Sequence, residues 1–461
     1  MESKLHFIGI GGIGMSAIAK IMLHMGYQIS GSDVKEGRLT QELEKRGAKI
    51  FYQHNAANIP DDAQAVVYSS AVKEDNPEMI EARRRGLKIY KRADALAFLM
   101  STGISIGVAG AHGKTTTSAM ISTMLDYAGC DPTIIIGGML PTIGGSNAKA
   151  GDGKYLVAEA DESDGTFLLL HPTIAVVTNV EADHLDFYEG LNNIIRAFEQ
   201  YLRQIPENGF AVYCADCPIC RDLAFTVPGC YISYALNEEA DYTAKNIIQG
   251  NGVSADIYYH GDKLGRLHLS VPGEHNIANA MAAIAVGRQL GLDFATCAAG
   301  LAHFQGTGRR FEKMGEFNGL TVIDDYAHHP TEIKKTIEAA RGQGAKNLTV
   351  VFQPHRYSRT QSMYAEFAEA LMGADKVILC EIYPAFEKPI PGVSAKLIAD
   401  CMVDLGHQQV VYTDSLDATY EYLKNNIADE DMLLIMGAGN IRSVSAPEQK
   451  TPYSPVGKNG G

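Results

Sequence analysis

A glycine-rich segment with one lysine and three threonines is the first stretch of the chain whose residues could do chemistry. Residues 108–117 spell VAGAHGKTTT, after an apolar run that predicts a buried strand and before a helical pattern from Thr115 to Leu125. Such a turn at a helix N-terminus leaves backbone N–H groups free to bind phosphate oxygens. Lys114 supplies a charge for the β- and γ-phosphates, and the Thr115 hydroxyl can ligate Mg²⁺. The segment therefore predicts ATP binding.

The spacing differs from that of the usual P-loop, which would place a glycine where this chain has Val108. Gly110 stands closer to Gly113, so we interpret the loop as a shortened variant. The residues expected to bind the nucleotide here are Gly110, Ala111, His112, Gly113, Lys114, Thr115 and Thr116.

Two acidic segments follow predicted buried strands downstream of this loop. Residues 159–164 spell EADESD, and residues 179–186 spell NVEADHLD. Four acids in six residues repel one another unless a cation lies among them. Strand ends of an α/β sheet converge, so we expect Thr115, Glu159 and His184 to surround one or two Mg²⁺ ions.

The N-terminal residues show a second nucleotide-type pattern. A strand over residues 5–10 leads into Gly9-x-Gly11-x-x-Gly14, and an acid, Asp33, follows the next strand. The pattern alone is weak evidence for NAD, because a glycine turn at a helix N-terminus holds any pyrophosphate, including that of a UDP-sugar. Candidate ligand-binding residues are Gly11, Gly12, Gly14, Asp33 and Ser70. Ser70, at the end of the strand over residues 65–68, fits plain turn chemistry equally well.

Two further segments carry candidate nucleotide ligands. His275, Asn276 and Asn279 lie near one end of a predicted long helix, where asparagine amides suit an adenine edge or simple N-capping. Residues 301–315 predict a hinge-like loop, in which Arg310 could contact a nucleotide phosphate.

The last third of the chain alternates predicted strands and helices, with strands at 320–324, 348–353, 376–380, 410–412 and 432–436. This order predicts a mostly parallel sheet. Residues 324–330 (DDYAHHP) and 353–360 (QPHRYSRT) follow the first two strands. Arg356 and Arg359, three residues apart, suit a carboxylate or a phosphate.

Length and composition limit the possible classes of protein. The 461 residues predict about three domains, and 46% hydrophobic with 20% charged residues is ordinary globular composition. A net charge of −14 argues against a nucleic-acid partner. We find no membrane-span pattern and no signal peptide, so we expect a cytoplasmic protein without a membrane partner.

Three of the eight cysteines, Cys214, Cys217 and Cys220, are spaced as in some iron–sulfur or zinc sites. The alternative is a strand over residues 210–213 running into a turn, with cysteine as a small apolar residue. We favour that alternative because a matching second cluster is missing from the sequence.

The residues together favour phosphoryl transfer, in which positioning and electrostatics do most of the work. The acceptor could be a hydroxyl, a water or a carboxylate, and the residues alone do not choose among them.

Seven ordered motifs resemble the Mur ligase family over about residues 5–442. They are GIGGIGMS (9–16), GAHGKTTT (110–117), EADESD (159–164), EADH (181–184), GEHNIANA (273–280), DDYAHHP (324–330) and FQPHRYSR (352–359). The resemblance implies an α/β protein of three domains. These are a Rossmann-like UDP-binding domain (1–101), a central P-loop ATPase domain with a small accessory antiparallel sheet (102–314), and a Rossmann-like C-terminal domain (315–446). Residues 447–461 are expected to form a disordered tail.

The resemblance also implies a reaction. ATP phosphorylates the lactyl carboxylate of UDP-N-acetylmuramate, and the amine of L-alanine attacks the acyl phosphate. Lys114 would stabilise the transferring phosphoryl group, while Thr115, Glu159 and His184 hold Mg²⁺. The remaining implied assignments are His275, Asn276 and Asn279 near adenine, Arg310 near the nucleotide, and Tyr326, His328, Arg356 and Arg359 facing the acyl phosphate and the amino acid. A monomer or a homodimer is expected.

Three positions depart from the family pattern. Ala111 replaces a more frequent threonine, and Asn440 replaces an aspartate, which puts an ionic role of that turn in doubt. Related ligases carry a carbamylated lysine where this chain has residues 197–200, so we predict no carbamylation. Glu199 could supply the charge, although a surface glutamate is the simpler interpretation.

Three rival hypotheses remain at this point. One is the recycling ligase that joins UDP-N-acetylmuramate to a ready-made tripeptide and shares these motifs. Another is an NAD-dependent oxidoreductase, supported by the N-terminal glycines and Asp33 but leaving the P-loop without a role. The third is a non-catalytic nucleotide-binding switch.

Overall fold

The computed structural model describes residues 1–69, 71–317, 319–385, 387–427 and 432–445. The chain divides into two compact units. The first comprises residues 1–248, 254–270 and 276–308, and the second comprises residues 249–253, 271–275 and 309–461. The first unit carries two sheets and the second carries one.

The N-terminal sheet has five strands in the order β3-β2-β1-β4-β5, and every recorded pair is parallel. The strands are β1 Lys4–Ile8, β2 Gln28–Ser32, β3 Lys49–Phe51, β4 Ala65–Tyr68 and β5 Lys88–Lys91. The helices are α1 Ile13–His24, α2 Arg38–Lys45, α3 Pro77–Arg84 and α4 Arg92–Met100. Both faces are covered by helices, so strand residues such as Leu5 and Phe7 are buried in near-continuous apolar runs. The predicted Rossmann-like fold is confirmed.

The central sheet has ten strands in the order β15-β14-β13-β12-β11-β10-β6-β9-β7-β8. The first five by sequence are β6 Ile104–Ala109, β7 Thr133–Leu140, β8 Ser146–Lys149, β9 Tyr155–Glu159 and β10 Ile174–Val177. The others are β11 Phe210–Cys214, β12 Tyr231–Ala235, β13 Tyr242–Gly250, β14 Gly252–Tyr259 and β15 Asp262–Leu269. The helices are α5 Lys114–Tyr127, α6 Leu185–Tyr188, α7 Leu191–Arg203, α8 Pro218–Thr226, α9 Glu274–Gln289 and α10 Phe294–Ala302.

Strand β6, which leads into the glycine-rich loop, lies between β9 and β10 and is parallel to both. The ends of these three strands therefore meet at one edge of the sheet, as the sequence predicted. That edge receives the glycine-rich loop and both acidic segments.

One part of the central sheet differs from the sequence-based expectation. The strands expected in a small accessory sheet continue the central one, because β11 pairs with β10, and β12 and β13 follow it in parallel. At the other edge, a glycine-rich stretch at residues 137–147 lies largely in the antiparallel hairpin of β7 and β8.

The C-terminal sheet has six strands in the order β16-β17-β21-β18-β19-β20. They are β16 Glu312–Phe317, β17 Leu320–Asp325, β18 Leu348–Phe352, β19 Lys376–Cys380, β20 Val410–Thr413 and β21 Met432–Met436. The helices are α11 Pro330–Gly342, α12 Tyr357–Leu371, α13 Lys396–Asp404 and α14 Leu416–Asn426. Strands β17 to β21 pair in parallel, which confirms the prediction for this part of the chain.

Strand β16 was missed by the sequence analysis. Residues 301–315 were expected to form a hinge-like loop, but Glu312 begins a strand that runs antiparallel to β17. Its exposed, charged residues and Gly315 hide the strand pattern. The predicted boundary after residue 314 falls inside β16, and the tail expected at residues 447–461 lies outside the described residues.

Within the described residues, no helix is both long and apolar enough to cross a membrane.

Candidate active site

The glycine-rich loop connects β6 to α5 through two glycines in the left-handed half of backbone space. Gly110 has φ 134° and Gly113, the N-cap of α5, has φ 84°. A side chain at Gly110 would collide with Thr178, so only glycine fits. The first N–H groups of α5 extend from its N-terminus, where they and the helix dipole favour an anion.

Lys114 is held against its own loop and against the first acidic segment. Its Nζ donates to the carbonyl oxygens of Gly110 (2.6 Å) and Ala111 (3.3 Å) and to Glu162 Oε1 (3.0 Å). Burial alone would lower the pKa of Lys114, but the carboxylates of Glu162 and Asp161 raise it above its ordinary value. The ammonium is therefore charged at neutral pH.

Thr115 and Glu159 lie together at the start of α5 and the end of β9. Thr115 Oγ1 donates to Glu159 Oε2 at 3.1 Å, and the Gly137 N–H donates to Glu159 Oε1 at 2.6 Å. Burial raises the pKa of the Glu159 carboxyl, against the lowering effect of the Gly137 N–H and of Lys114. A hydroxyl beside a carboxylate is a donor set that suits Mg²⁺.

His184 lies beside the same acidic segment but against different acids. Its Nε2 is 3.8 Å from Glu162 Oε1 and 3.6 Å from Asp183 Oδ2. Among the described side chains, no group of three or more histidines, cysteines and acids that includes Glu159 or His184 has all its ligand atoms within 4.8 Å of one another. The shared role of Thr115, Glu159 and His184 stays a prediction.

Glu162 and Asn179 are two site residues that the sequence analysis did not single out. Glu162 is 3% exposed, pairs with Lys114, and has an Oε2 atom without a hydrogen-bond partner among the described residues. Asn179 holds the glycine-rich loop, since its Oδ1 accepts from the His112 N–H at 2.9 Å and its Nδ2 donates to the His112 carbonyl. Their positions at strand ends beside the P-loop were the available signal.

Asn276 and Asn279 are buried on α9, and Asn279 reaches the helix of the P-loop. Thr117 Oγ1 donates to Asn279 Oδ1 at 3.2 Å, and Asn279 Nδ2 donates to Asn276 Oδ1 at 3.3 Å. A Cβ added at Gly113 would lie 3.0 Å from Asn279 Oδ1. The structure thus brings Asn279 to the loop and its helix, and the proposed contact with adenine stays a prediction.

The backbone of the N-terminal glycine turn donates a hydrogen bond to the carboxylate of Asp33. The Gly11 N–H donates to Asp33 Oδ2 at 2.8 Å and the Val34 N–H donates to Asp33 Oδ1 at 2.7 Å. Gly12 is the N-cap of α1, and a Cβ at Gly14 would meet Arg92 at 3.2 Å. Ser70, the fifth candidate of this region, lies outside the described residues.

In the second unit, Tyr326 and His328 follow β17 and form an aromatic cluster with arginines. The guanidinium carbons of Arg309 and Arg310 lie 5.0 and 5.5 Å from the centre of the Tyr326 ring, and Arg310 also pairs with Glu332 at 3.2 Å. The His328 ring packs edge-on to Tyr326 with centroids 5.3 Å apart.

The histidines of this cluster are neutral at physiological pH. Burial lowers the pKa of His328 to about 4 and that of His355 to about 3, and the charge of Arg359 adds to both effects. The centroids of the His328 and His355 rings lie 5.9 Å apart. The His355 ring stacks on the Tyr383 ring with centroids 5.6 Å apart. Arg356 precedes α12 with φ 73° and donates its N–H to the Tyr383 carbonyl.

Two other predicted positions belong to the second unit. His275 is assigned to it, and burial with nearby Lys335 lowers the pKa of His275 to about 4. Asn440, which follows β21, has a buried Oδ1 without a hydrogen-bond partner among the described residues. Gln353 Oε1 is also buried without a hydrogen-bond partner among the described residues. Two such amide oxygens therefore lie beyond the ends of the adjacent parallel strands β18 and β21.

The side chain of Glu199 is 40% exposed and pairs with Arg203 one turn along α7 at 2.7 Å. This exposed pair agrees with the interpretation of Glu199 as a surface glutamate. Cys214, Cys217 and Cys220 do not form a group that could hold a metal ion among the described residues.

Fold and site together define a class: an α/β protein with a lysine-bearing P-loop, an adjacent set of buried acids, and a separate parallel-sheet unit rich in arginine and neutral histidine. Comparison with known proteins specifies the class further. The chain matches the Mur ligase family, catalytic domain over residues 4–103, the Mur ligase middle domain over 108–287, and the Mur ligase, glutamate ligase domain over 309–439. The chain belongs to the Mur ligase family.

Individual relatives agree with this family. The UDP-N-acetylmuramate–L-alanine ligase of Pelotomaculum thermopropionicum is 51% identical over 447 residues, which cover 96% of each chain. The solved structure of UDP-N-acetylmuramate-alanine ligase from Thermotoga maritima is 31% identical, with a TM-score of 0.81 over 96% of this chain and 97% of that one. A murein peptide ligase from Psychrobacter arcticus is 24% identical, with a TM-score of 0.71 over 96% and 97%, and shows the shared fold.

Proposed function

We propose that this protein joins L-alanine to the lactyl carboxylate of UDP-N-acetylmuramate, with conversion of ATP to ADP and phosphate, in the synthesis of peptidoglycan precursors. The observation that carries the proposal is the 51% identity, over 96% of both chains, to a ligase of that name. The charged Lys114 in a P-loop beside buried acids supports the same chemistry.

The first step is transfer of the γ-phosphoryl group. A carboxylate oxygen of the sugar nucleotide attacks the γ-phosphorus, the bond to the ADP oxygen breaks, and the electron pair leaves with ADP. Lys114 offsets the negative charge on the transferring group, and the N-terminus of α5 binds the phosphate oxygens. Before ATP binds, Glu162 and two loop carbonyls hold the ammonium in the loop.

The residues around the loop fit a magnesium ion. Thr115 and Glu159 offer a hydroxyl and a carboxylate 3.1 Å apart, His184 lies near Glu162, and Mg²⁺ usually takes few protein ligands besides water and phosphate. When bound, the ion neutralises phosphate charge. We propose Thr115, Glu159 and His184 as its protein ligands.

The second step is attack by the amine of L-alanine on the acyl phosphate. A tetrahedral intermediate forms, and the carbon–oxygen bond to phosphate then breaks. We propose that Arg356 and Arg359 bind the carboxylate of L-alanine or the acyl phosphate, and that Tyr326 and His328 face them. Neutral imidazoles suit this place because they add no further positive charge and can accept a hydrogen bond from the amine.

The remaining assignments follow the same scheme. We propose that residues 1–101 bind the UDP-sugar through Gly11, Gly12, Gly14, Asp33 and Ser70, residues 102–314 bind ATP, and residues 315–446 bind the amino acid. His275, Asn276, Asn279 and Arg310 are proposed adenine and nucleotide ligands. The eight free thiols are typical of a reducing compartment, which supports a cytoplasmic location, and a monomer or homodimer is proposed.

The test is phosphate release from ATP and Mg²⁺ with UDP-N-acetylmuramate and single amino acids added in turn. We expect release only when both the sugar nucleotide and L-alanine are present. Release that ignores L-alanine but responds to a tripeptide would point to the recycling ligase, and no release with any sugar nucleotide would refute the proposal.

A further inference from the structure

Cys217 and Cys220 flank the start of helix α8 in a Cys-Pro-Ile-Cys sequence. Cys217 is the N-cap, Pro218 occupies the first helical position, and Cys220 lies in the first turn. Side chains three residues apart on a helix are neighbours, with Cβ atoms about 5–6 Å apart. Small side-chain adjustments from this spacing allow a disulfide.

The environments of the two sulfur atoms differ. A hydrogen bond from the Cys220 thiol is the main reason that the pKa of Cys217 is lowered to about 6, and backbone N–H groups at the start of α8 add to the effect. The same bond and burial raise the pKa of Cys220 well above its ordinary value. Cys217 is partly exposed and Cys220 is 2% exposed. Cys217 is therefore the partly exposed cysteine of the pair, with the lower pKa, and Cys220 is the buried one.

Cys220 belongs to the hydrophobic core and Cys217 packs against it, but Cys217 differs from Cys214 and Cys220 in being partly exposed. Cys214 is almost fully buried, and burial raises its pKa to about 11, as expected of a cysteine that serves as a small apolar residue. Cys217, by contrast, is partly exposed and sits at the positive end of a helix. That arrangement is typical of reactive Cys-x-x-Cys pairs.

Cys217 is also connected to the nucleotide loop. Its sulfur accepts from the Val180 N–H at 3.5 Å, and its thiol donates to the Val180 carbonyl oxygen at 3.8 Å. The preceding residue, Asn179, holds the His112 backbone of the P-loop through both its amide oxygen and its amide nitrogen. A change at the sulfur of Cys217 therefore reaches the P-loop through two adjacent residues.

We propose that Cys217 and Cys220 form a reversible dithiol–disulfide site, oxidised by a low-molecular-weight disulfide, and that its oxidation weakens nucleotide binding at the P-loop. The second half of this proposal rests on the proposed function.

The chemistry is a thiol–disulfide exchange in two steps. The Cys217 thiolate attacks one sulfur of the small disulfide, whose sulfur–sulfur bond breaks, and the first small thiolate leaves and takes up a proton. Cys220 then loses its proton, and its sulfur attacks Cys217 in the mixed disulfide and releases the second small thiol. The two cysteines are oxidised, and the small disulfide is reduced to two thiols.

Formation of the disulfide affects nucleotide binding because the Cys217 sulfur becomes a poorer hydrogen-bond acceptor. In the disulfide, the Cys217 sulfur carries no charge and turns toward Cys220, so the hydrogen bond from Val180 is weakened. Loss of one such bond changes an equilibrium about two- to tenfold. We expect the affinity for ADP to fall by that factor.

The experiment treats the full-length protein with oxidised glutathione, blocks remaining thiols, and maps disulfides by mass spectrometry of the unreduced digest. We expect an internal Cys217–Cys220 disulfide, a Kd for a fluorescent ADP analogue raised about two- to tenfold, and reversal of both by dithiothreitol. The Cys214→Ser variant should behave as the parent, and so should Cys230→Ser, which removes an exposed thiol.

The Cys217→Ser/Cys220→Ser variant separates the outcomes. It should bind ADP as the reduced parent does and ignore oxidised glutathione. A stable mixed disulfide at Cys217, or a Cys214–Cys217 disulfide, would overturn the assigned site. A Cys217–Cys220 disulfide with unchanged ADP affinity would overturn the coupling to the P-loop. If the reduced protein bound no nucleotide, the proposed function would fail while the disulfide map still tested the site.

Discussion

The P-loop region and the cluster of Tyr326, His328 and neighbouring arginines are both proposed to bind anions, but their electrostatic environments differ. Around Lys114 three acids face one ammonium, since Glu162 pairs with it and Asp161 and Glu159 lie near it. Around His328 the nearby charges are those of Glu332, Arg359 and Arg310, and burial keeps both His328 and His355 neutral.

This difference indicates a division of labour. A phosphoryl group that carries several negative charges needs a lysine kept charged by acids and then released to the ligand. An amino-acid amine needs a site whose positive charge comes only from arginines that bind a carboxylate, because protonated histidines would repel its ammonium form.

The largest expected effect is from removal of the charge in the P-loop. Lys114→Ala should lower kcat by about 10³-fold, since one charged group aimed at the transferring phosphoryl is lost. It should also destabilise the protein, because Glu162 loses the cation that offsets its burial. Steady-state phosphate release and thermal unfolding measure the two effects.

A double variant separates these effects. Lys114→Ala/Glu162→Gln removes the unpaired carboxylate, so it should regain stability but not activity. Lys154→Ala, at an exposed lysine of the same unit, should change neither. Activity in the double variant close to that of the parent would contradict the role of Lys114.

The next largest effect should come from replacing the planar guanidinium of Arg359. Arg359→Lys keeps the charge but loses the planar fork, so kcat/KM for L-alanine should fall about 10- to 100-fold. Unfolding temperature should hardly change. Arg341→Lys, at a half-buried arginine of the same unit that pairs with Asp375, is the matched control and should leave L-alanine kinetics unaltered. Equal activity of Arg359→Lys and the parent would exclude a bidentate role.

The neutral histidines predict a pH effect on stability. The pKa of His328 is lowered to about 4 in the folded state, against about 6.5 when unfolded. The unfolded chain therefore binds more protons between these values, and stability falls as pH falls from about 6.5 toward 4.

Replacing the titrating ring should reduce that slope. His328→Asn should lose about 2 kcal/mol of the stability difference between pH 7.5 and pH 5, measured by urea unfolding at each pH. His268→Asn, at an exposed histidine, is the control. An unchanged slope in His328→Asn would show that folding does not lower the pKa of His328.

The smallest effect is expected at Glu199. Because its contact with Arg203 is an exposed pair one helical turn apart, Glu199→Gln should cost no more than about 0.5 kcal/mol and leave kcat unchanged. A kcat loss of tenfold or more, measured at saturating substrates, would instead support a role for Glu199 in the metal site.

Much of the fold was predictable because its strands are short apolar runs bounded by turn residues. The strand at residues 65–68 was predicted with its observed limits, and the parallel C-terminal sheet followed from alternation of strands and helices. Strand β16 was missed because an edge strand need not be apolar. The continuity of the central sheet depends on pairing between distant strands, which local patterns do not encode.

The sequence predicted that Thr115 and Glu159 would lie close together, and their side chains are 3.1 Å apart. Sequence alone did not reveal that Glu162 would pair with Lys114, because four neighbouring acids look equivalent until the turn after β9 orients them. It also did not reveal the engagement of Asp33 by two backbone N–H groups. The low pKa values of the histidines depend on burial, which only the folded chain defines.

The central claim, that ATP activates a carboxylate at this P-loop, is tested most directly by oxygen transfer. UDP-N-acetylmuramate labelled with ¹⁸O in its lactyl carboxylate would be converted with L-alanine, and the released phosphate analysed by mass spectrometry. An acyl phosphate predicts that one labelled oxygen moves from the carboxylate to phosphate in each turnover. Unlabelled phosphate, formed together with product, would contradict the mechanism.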